Sequence, residues 1–209
     1  MAITTNAQLK TAVANWLDRS DLTTRIPEFI TLAEAKFNRV IRQPDMITRK
    51  DDFSIAGRYT TLETDTLEVL RIVLDVDPPV TLEYLTNEEI AELRRELSST
   101  GKPSYFTIIG GSSNQLEVLR SPDKTYTASI VYYTRIPALD ADGDSNWLLA
   151  SHPDIYLFGA LMEAEPYLKN DERVIFATRL ETALAELNLQ GERERHTGGS
   201  LRMRSRVLG

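Results

Sequence analysis

Apolar residues near the start of the chain recur at helical spacing. Leu9, Val13, Trp16 and Leu17 share one face, and Thr5 with Gln8 makes a capping-box pattern ahead of them. Arg19-Ser20-Asp21 interrupts that face. A second set, Ile30, Ala33, Phe37, Val40 and Ile41, marks another helix. Pro27 sits near its start, where a missing N–H costs little, and Pro44 closes it. Helical structure is therefore expected over 6–43.

The period then falls to two. TLEVLRIVLDV (Thr66 to Val76) is rich in β-branched residues and is stopped by Pro78-Pro79. VTLEYL, SYFTII, QLEVL and YTASIVYY read as short strands separated by turn signals such as Gly110-Gly111 and Ser121-Pro122-Asp123. Within this block, Thr86-Asn87-Glu88-Glu89 caps one amphipathic helix ending near Leu97. The spacing predicts an antiparallel β-unit over about 52–137 that carries one small helix.

Helical spacing returns with Ile155, Phe158, Leu161 and Met162, behind a Ser151/Asp154 N-cap pair. Pro166 is expected to kink or end that helix, because its ring clashes with the preceding turn. Asn170 is placed to cap a last helix with the stripe Ala177, Leu180, Leu184 and Leu187, and Gly191 is expected to stop it. Helices are thus expected over 151–190. From residue 192 to 209 the chain is polar, glycine-containing and basic toward its end, too poor in apolar residues to build a core. The fold class that emerges is α+β: a helical bundle formed by the N- and C-terminal helices, an inserted antiparallel β-unit, and an extended C-terminal tail. Residues 1–191 would form one domain and 192–209 the tail.

Composition narrows the chemistry. The chain has 209 residues, 42% of them hydrophobic, which is enough for a core without staples. It has no cysteine, so disulfides, thiolate metal sites and cysteine nucleophiles are excluded. A formal net charge of −7 opposes a dedicated duplex-binding protein, which would need surplus Lys and Arg. It suits a protein past which DNA must slide, since like charge repels phosphate. No signal peptide is expected in MAITTNAQLK, and no apolar run approaches the length of a membrane span.

Candidate catalytic and metal-binding patterns are weak. Asp140, Asp142 and Asp144 alternate as in a calcium loop, but Ser145 stands where glycine is needed and Ser151 where a bidentate Glu is needed. His152 lies beside Asp154 with no nucleophile or oxyanion site in view, and His196 falls in the expected tail. Glu163, Glu165, Asp171 and Glu172 could pair as carboxylates, although charged helix faces are the commoner cause. Gly110-Gly111 is not followed by a P-loop lysine and reads as a hairpin turn. No catalytic residue, cofactor or metal is therefore assigned, and the reading is not an enzyme.

The stretch from Trp147 to Leu187, containing PDIYLFGALMEAEPYL, resembles the C-terminal helical signature of phage head-to-tail adaptor proteins, specifically the SU10-type adaptors of short-tailed phages. The opening LKTAVANWLDRSDLTTRIPEFITLAEAKFNRVIR resembles that family's N-terminal helical pair. The β-rich block matches only in type. The resemblance implies a structural subunit of the virion neck that assembles with itself as a ring, expected to be dodecameric, beneath the portal protein. It implies a tail that grips portal subunits, a lower face that receives a nozzle-type tail protein, and genomic DNA passing through the middle.

The tail's own pattern agrees with docking. In an extended chain Arg202, Arg204 and Arg206 fall on one edge and Leu201, Met203 and Val207 on the other. Such a segment can add to a partner's sheet edge. Nucleic-acid binding by these arginines is weaker, because no aromatic residue is interleaved to stack on bases. Charge spacing further suggests that Glu163, Glu172, Arg173 and Arg179 meet a neighbouring subunit. Rival readings are a stopper or tail-completion ring of the same virion, a virion-associated hydrolase, and a DNA-binding accessory protein that the acidic balance opposes.

Overall fold

The structure, a computed structural model, describes residues 2–19, 21–110, 114–168 and 173–196. The chain forms two compact units. One is helical and takes the chain up to Asp45 and from Ile136 onward; the other is β-rich and spans Met46–Arg135.

The helical unit begins with α1 (Asn6–Leu17) at the expected capping box. The Thr5 hydroxyl accepts the Gln8 amide, and the Gln8 side chain takes the Thr5 amide in return. The helix ends where Asp18 turns left-handed at φ 50°, a conformation that asparagine and aspartate tolerate better than most residues. Helix α2 (Ile26–Val40) carries Pro27 in its first turn and buries Phe29, Ile30, Ala33 and Phe37 along one stripe.

The β-rich unit holds two four-stranded sheets. The first has the order β1 (Ile47–Ile55), β8 (Tyr126–Thr134), β3 (Thr66–Leu74), β4 (Val80–Thr81). The second runs β2 (Tyr59–Thr61), β7 (Gln115–Leu119), β6 (Tyr105–Ile109), β5 (Glu83–Tyr84). Alternate residues Tyr126, Ala128, Ile130 and Tyr132 of β8 point into one core with Ile72, Leu74, Phe106, Leu116 and Val118. Every pair is antiparallel except β5 with β6, which is parallel and two residues long. The expectation of a purely antiparallel unit is corrected at that edge. Strand structure also starts earlier than expected, at Ile47. Arg49, Lys50, Asp51 and Asp52 mask the strand pattern, yet β1 pairs with β8 across this stretch, with a bulge between Lys50 and Phe53.

Helix α3 (Asn87–Glu96) is capped by Thr86 and Glu89 as the sequence implies, and it seats the buried Ile90. Arg94 on α3 and Arg58 both reach the buried Glu117 carboxylate of β7, at 2.6 and 2.8 Å.

The helical unit resumes with α4 (Trp147–Ser151), α5 (Pro153–Leu168) and α6 (Arg173–His196). Helix α5 packs against α1, α2, α4 and α6. It buries residues around most of its circumference, from Ile155 to Glu165, so it reads as a core helix and not an amphipathic one. A Cβ on its Gly159 would lie 2.5 Å from Cζ of Phe37, which shows how closely α2 crosses there. Two local expectations, the N-cap and the Gly191 stop, are corrected. The N-cap of this region is Asn146, which accepts the Leu149 amide, whereas Ser151 is the last residue of α4. Pro166 sits inside α5 two residues before its end. Gly191 does not stop α6, which runs on to His196.

Candidate assembly interface

Helices α5 and α6 carry the residues expected to meet a neighbouring subunit. Arg179 is exposed on α6, with its guanidinium 5.5 Å from the centre of the Phe158 ring of α5. Asp154, Phe158, Thr182 and Glu186 line a shallow groove with it. Cation and ring hold each other in place there. Glu163 is half-buried five residues beyond Phe158, which turns it roughly 140° around the helix axis. Arg173 opens α6, and Glu172 and Asp171 lie outside the described residues. Of the four charged residues singled out in the sequence, Arg179 and Glu163 have described side chains.

The same region exposes apolar groups that periodicity alone does not flag. Trp16 is 50% exposed although its helical stripe suggests core. Its ring meets Phe158 and Phe176 edge-on at 5.9 and 6.3 Å. Val174 and Ile175, on the same turn as Phe176, are 73% and 54% exposed. Neighbouring apolar positions at 174, 175 and 176 cannot all face inward on a helix, and that was the available sequence signal.

A buried polar network stiffens the core beneath this face. The Asn146 side chain donates to the Tyr156 hydroxyl and to the Pro137 carbonyl, both at 2.7 Å. Tyr156 in turn donates to Glu34 at 3.3 Å, and Glu34 also accepts the Leu139 amide at 3.0 Å. Burial raises the Glu34 carboxyl above the usual carboxylate range, and burial likewise raises the Tyr156 hydroxyl. The network fastens the 136–146 segment to α2, α4 and α5.

The acidic turn at Asp140, Asp142 and Asp144 has a structural task. The Asp144 and Asp142 carbonyls accept the first two amides of α1, Asn6 and Ala7, at 2.9 and 3.0 Å. The Asn6 side chain reaches back to Leu139 and Ala141 carbonyls, and Lys10 pairs with Asp142 at 2.8 Å. His152 follows α4, where its amide donates to the Leu148 carbonyl and its own carbonyl accepts the Ile155 amide. Among the described residues no group of three His, Asp or Glu side chains is placed to hold a metal ion.

The tail residues Leu201, Arg202, Met203, Arg204, Arg206 and Val207 lie outside the described residues. Their anchor does not. On α6, Gly191 faces Gln43, whose side chain donates to Asn188 at 3.0 Å. A Cβ at Gly191 would fall 1.8 Å from the Gln43 carbonyl oxygen. The glycine allows α6 to pass over Gln43, which sequence reading mistakes for a helix stop.

A family model for the SU10 adaptor protein matches residues 4–204, both helical ends and the β-rich unit together. The chain belongs to the SU10 adaptor family. No curated protein matches it. The match establishes a phage structural adaptor, and it spans the β-rich unit for which the sequence offered a resemblance only in type. The exposed Trp16, Val174 and Ile175 lie with the cation–ring pair of Arg179 on the helical unit of this SU10 adaptor.

Proposed function

We propose that this SU10 adaptor forms a ring, expected to be dodecameric, beneath the phage portal, and that it joins the portal to the tail at the virion neck. The observation that carries this reading is the family match over residues 4–204. In it, subunits meet side by side through surfaces that include Arg179 and Glu163, with Arg173 and Glu172 contributing charge. The tail segment Leu201 to Val207, with Arg202, Met203, Arg204 and Arg206, engages portal subunits by backbone pairing. A nozzle-type tail protein receives the lower face. Genomic DNA passes through the ring without sequence-specific binding, as an acidic wall would permit.

Cryo-electron microscopy of the protein mixed with its phage's portal tests this. The full chain should form a ring under the portal, and a chain ending at His196 should not. Binding by neither form would overturn the adaptor arrangement. Binding by both would remove the tail from the interface.

A further inference from the structure

We propose that the open edge of β3 in the β-rich unit binds the Leu201–Val207 segment of a second copy as an added strand. The edge is real: β4 pairs only with Val73 and Leu74, and the Leu82 amide adds a bond to the Ile72 carbonyl. Among the described residues no strand pairs with β3 on the side away from β8 before Val73. The Thr66 amide donates to Glu63 and its carbonyl accepts from the Asn114 side chain, so the open row runs from Leu67 to Arg71. Such a row of backbone donors and acceptors is a template for another chain.

Beside this edge lies a groove of about 430 Å³ lined by Leu62, Leu67, Val69, Tyr84 and Ile108. Tyr84 and the neighbouring Leu70 are 57% and 43% exposed, so apolar surface faces solvent at the edge. Thr66 also lines the groove. It is only 3% exposed, and among the described residues its hydroxyl has no hydrogen-bond partner. A buried hydroxyl in that state is unusual and fits a site that an arriving backbone completes.

Two properties select the occupant. An added strand must place apolar side chains at every second position to fill the groove. Leu201, Met203 and Val207 supply three of the four such positions, with Ser205 at the other. Glu63 and Asp65 precede the edge and Glu68 lies on it; Glu63 pairs with Lys50 and Asp65 accepts the Thr134 hydroxyl, which leaves this stretch net acidic. Arg202, Arg204 and Arg206 complement it. Thirteen residues follow His196, which span up to about 40 Å when extended, enough to leave one subunit and reach another. This pairing concerns the protein without a portal and stands apart from portal docking; the two would compete for one segment.

Hydrogen exchange of the peptide covering Thr66 to Arg71 reads the pairing directly. It is followed in the full chain from about 1 to about 100 μM, and with an added synthetic peptide of residues 199–209. Exchange should slow with protein concentration. It should slow about tenfold when the peptide is near ten times its dissociation constant. A chain carrying R202E, R204E and R206E should lose the concentration effect while still responding to the peptide. Exchange unmoved by either addition overturns the proposal. Tail-dependent slowing at every concentration assigns the edge to a chain's own tail and overturns the second copy. Concentration-dependent slowing that survives the substitutions assigns it to edge-to-edge pairing and overturns the tail. No portal is present, so failure here leaves the adaptor reading untouched.

Discussion

At Gly191 two effects of alanine oppose each other. Alanine is favoured over glycine inside a helix by about 1 kcal/mol. The added methyl would collide with the Gln43 side chain, which is 3% exposed and tied to Asn188. Overpacking costs about 1–3 kcal/mol, so Gly191→Ala should destabilise the protein by about 1 kcal/mol. In a Gln43→Ala background the collision disappears and the same change should stabilise. Urea titration of the four variants gives both signs, and a Gly191→Ala cost that persists without Gln43 would place the constraint elsewhere. Glu34 provides a second residue-scale test. Its carboxyl is raised mainly by burial, so the folded state holds its proton more tightly than the unfolded chain does. That stability is fully present below the ordinary carboxylate value and is lost as pH rises through the raised one. Glu34→Gln keeps an acceptor for the Leu139 amide and cannot ionise. Thermal melts should show the variant gaining on the parent as pH climbs from the acid range toward neutrality.

At the scale of elements, Glu117 holds α3 to the second sheet through Arg94, with Arg58 on the same oxygen. The carboxylate is buried while the arginine side chains are 26% and 39% exposed, so water screens part of each interaction. Glu117→Ala should therefore cost about 2 kcal/mol, below the loss at a fully buried pair. A double-mutant cycle with Arg94→Ala should return a coupling near 1 kcal/mol, and a coupling of zero would show that α3 is held without this pair, by Ile90 and the Thr107–Asn87 hydrogen bond. Elements whose signals are local were legible in the sequence. The caps at Thr5 and Thr86 were readable because a capping box is written within four residues. The strand at Ile47–Lys50 was hidden because its alternation runs through charged side chains, and pairing with β8 comes from far along the chain. The parallel β5–β6 pair has two residues and no pattern to read. Gly191 misled for a related reason: its role depends on Gln43, nearly 150 positions away.

For the molecule as a whole, function was legible chiefly through a long signature. PDIYLFGALMEAEPYL carried the family resemblance, and α5 buries most of it. Its constraint is that of a helix enclosed by four others. The apolar side chains that do face solvent include single positions near the end of α1 and the start of α6, such as Trp16 and Val174. The exposure of Trp16 is not legible from periodicity, because an exposed apolar residue within a stripe looks identical to a core one; that of Val174 is signalled only by the apolar run at 174–176. Charge runs in the opposite direction: a net −7 is a property of the entire chain, while Arg202, Arg204 and Arg206 are a local exception to it.

The seating of α1 on the Asp142 and Asp144 carbonyls has a temporal side. The β-rich unit Met46–Arg135 is contiguous, so a ribosome delivers everything it needs in one uninterrupted stretch. The helical unit is split around it. Helices α1 and α2 emerge first, but the carbonyls that receive α1 and the helix that covers Phe37 are made more than 90 residues later. At typical bacterial synthesis rates of about 5–20 residues per second, the first two helices wait for several seconds with Leu9, Val13 and Phe37 uncovered. Nascent chains of this adaptor thus meet the cell with their N-terminal apolar faces bare, and the host's holding chaperones have an interval in which to find them.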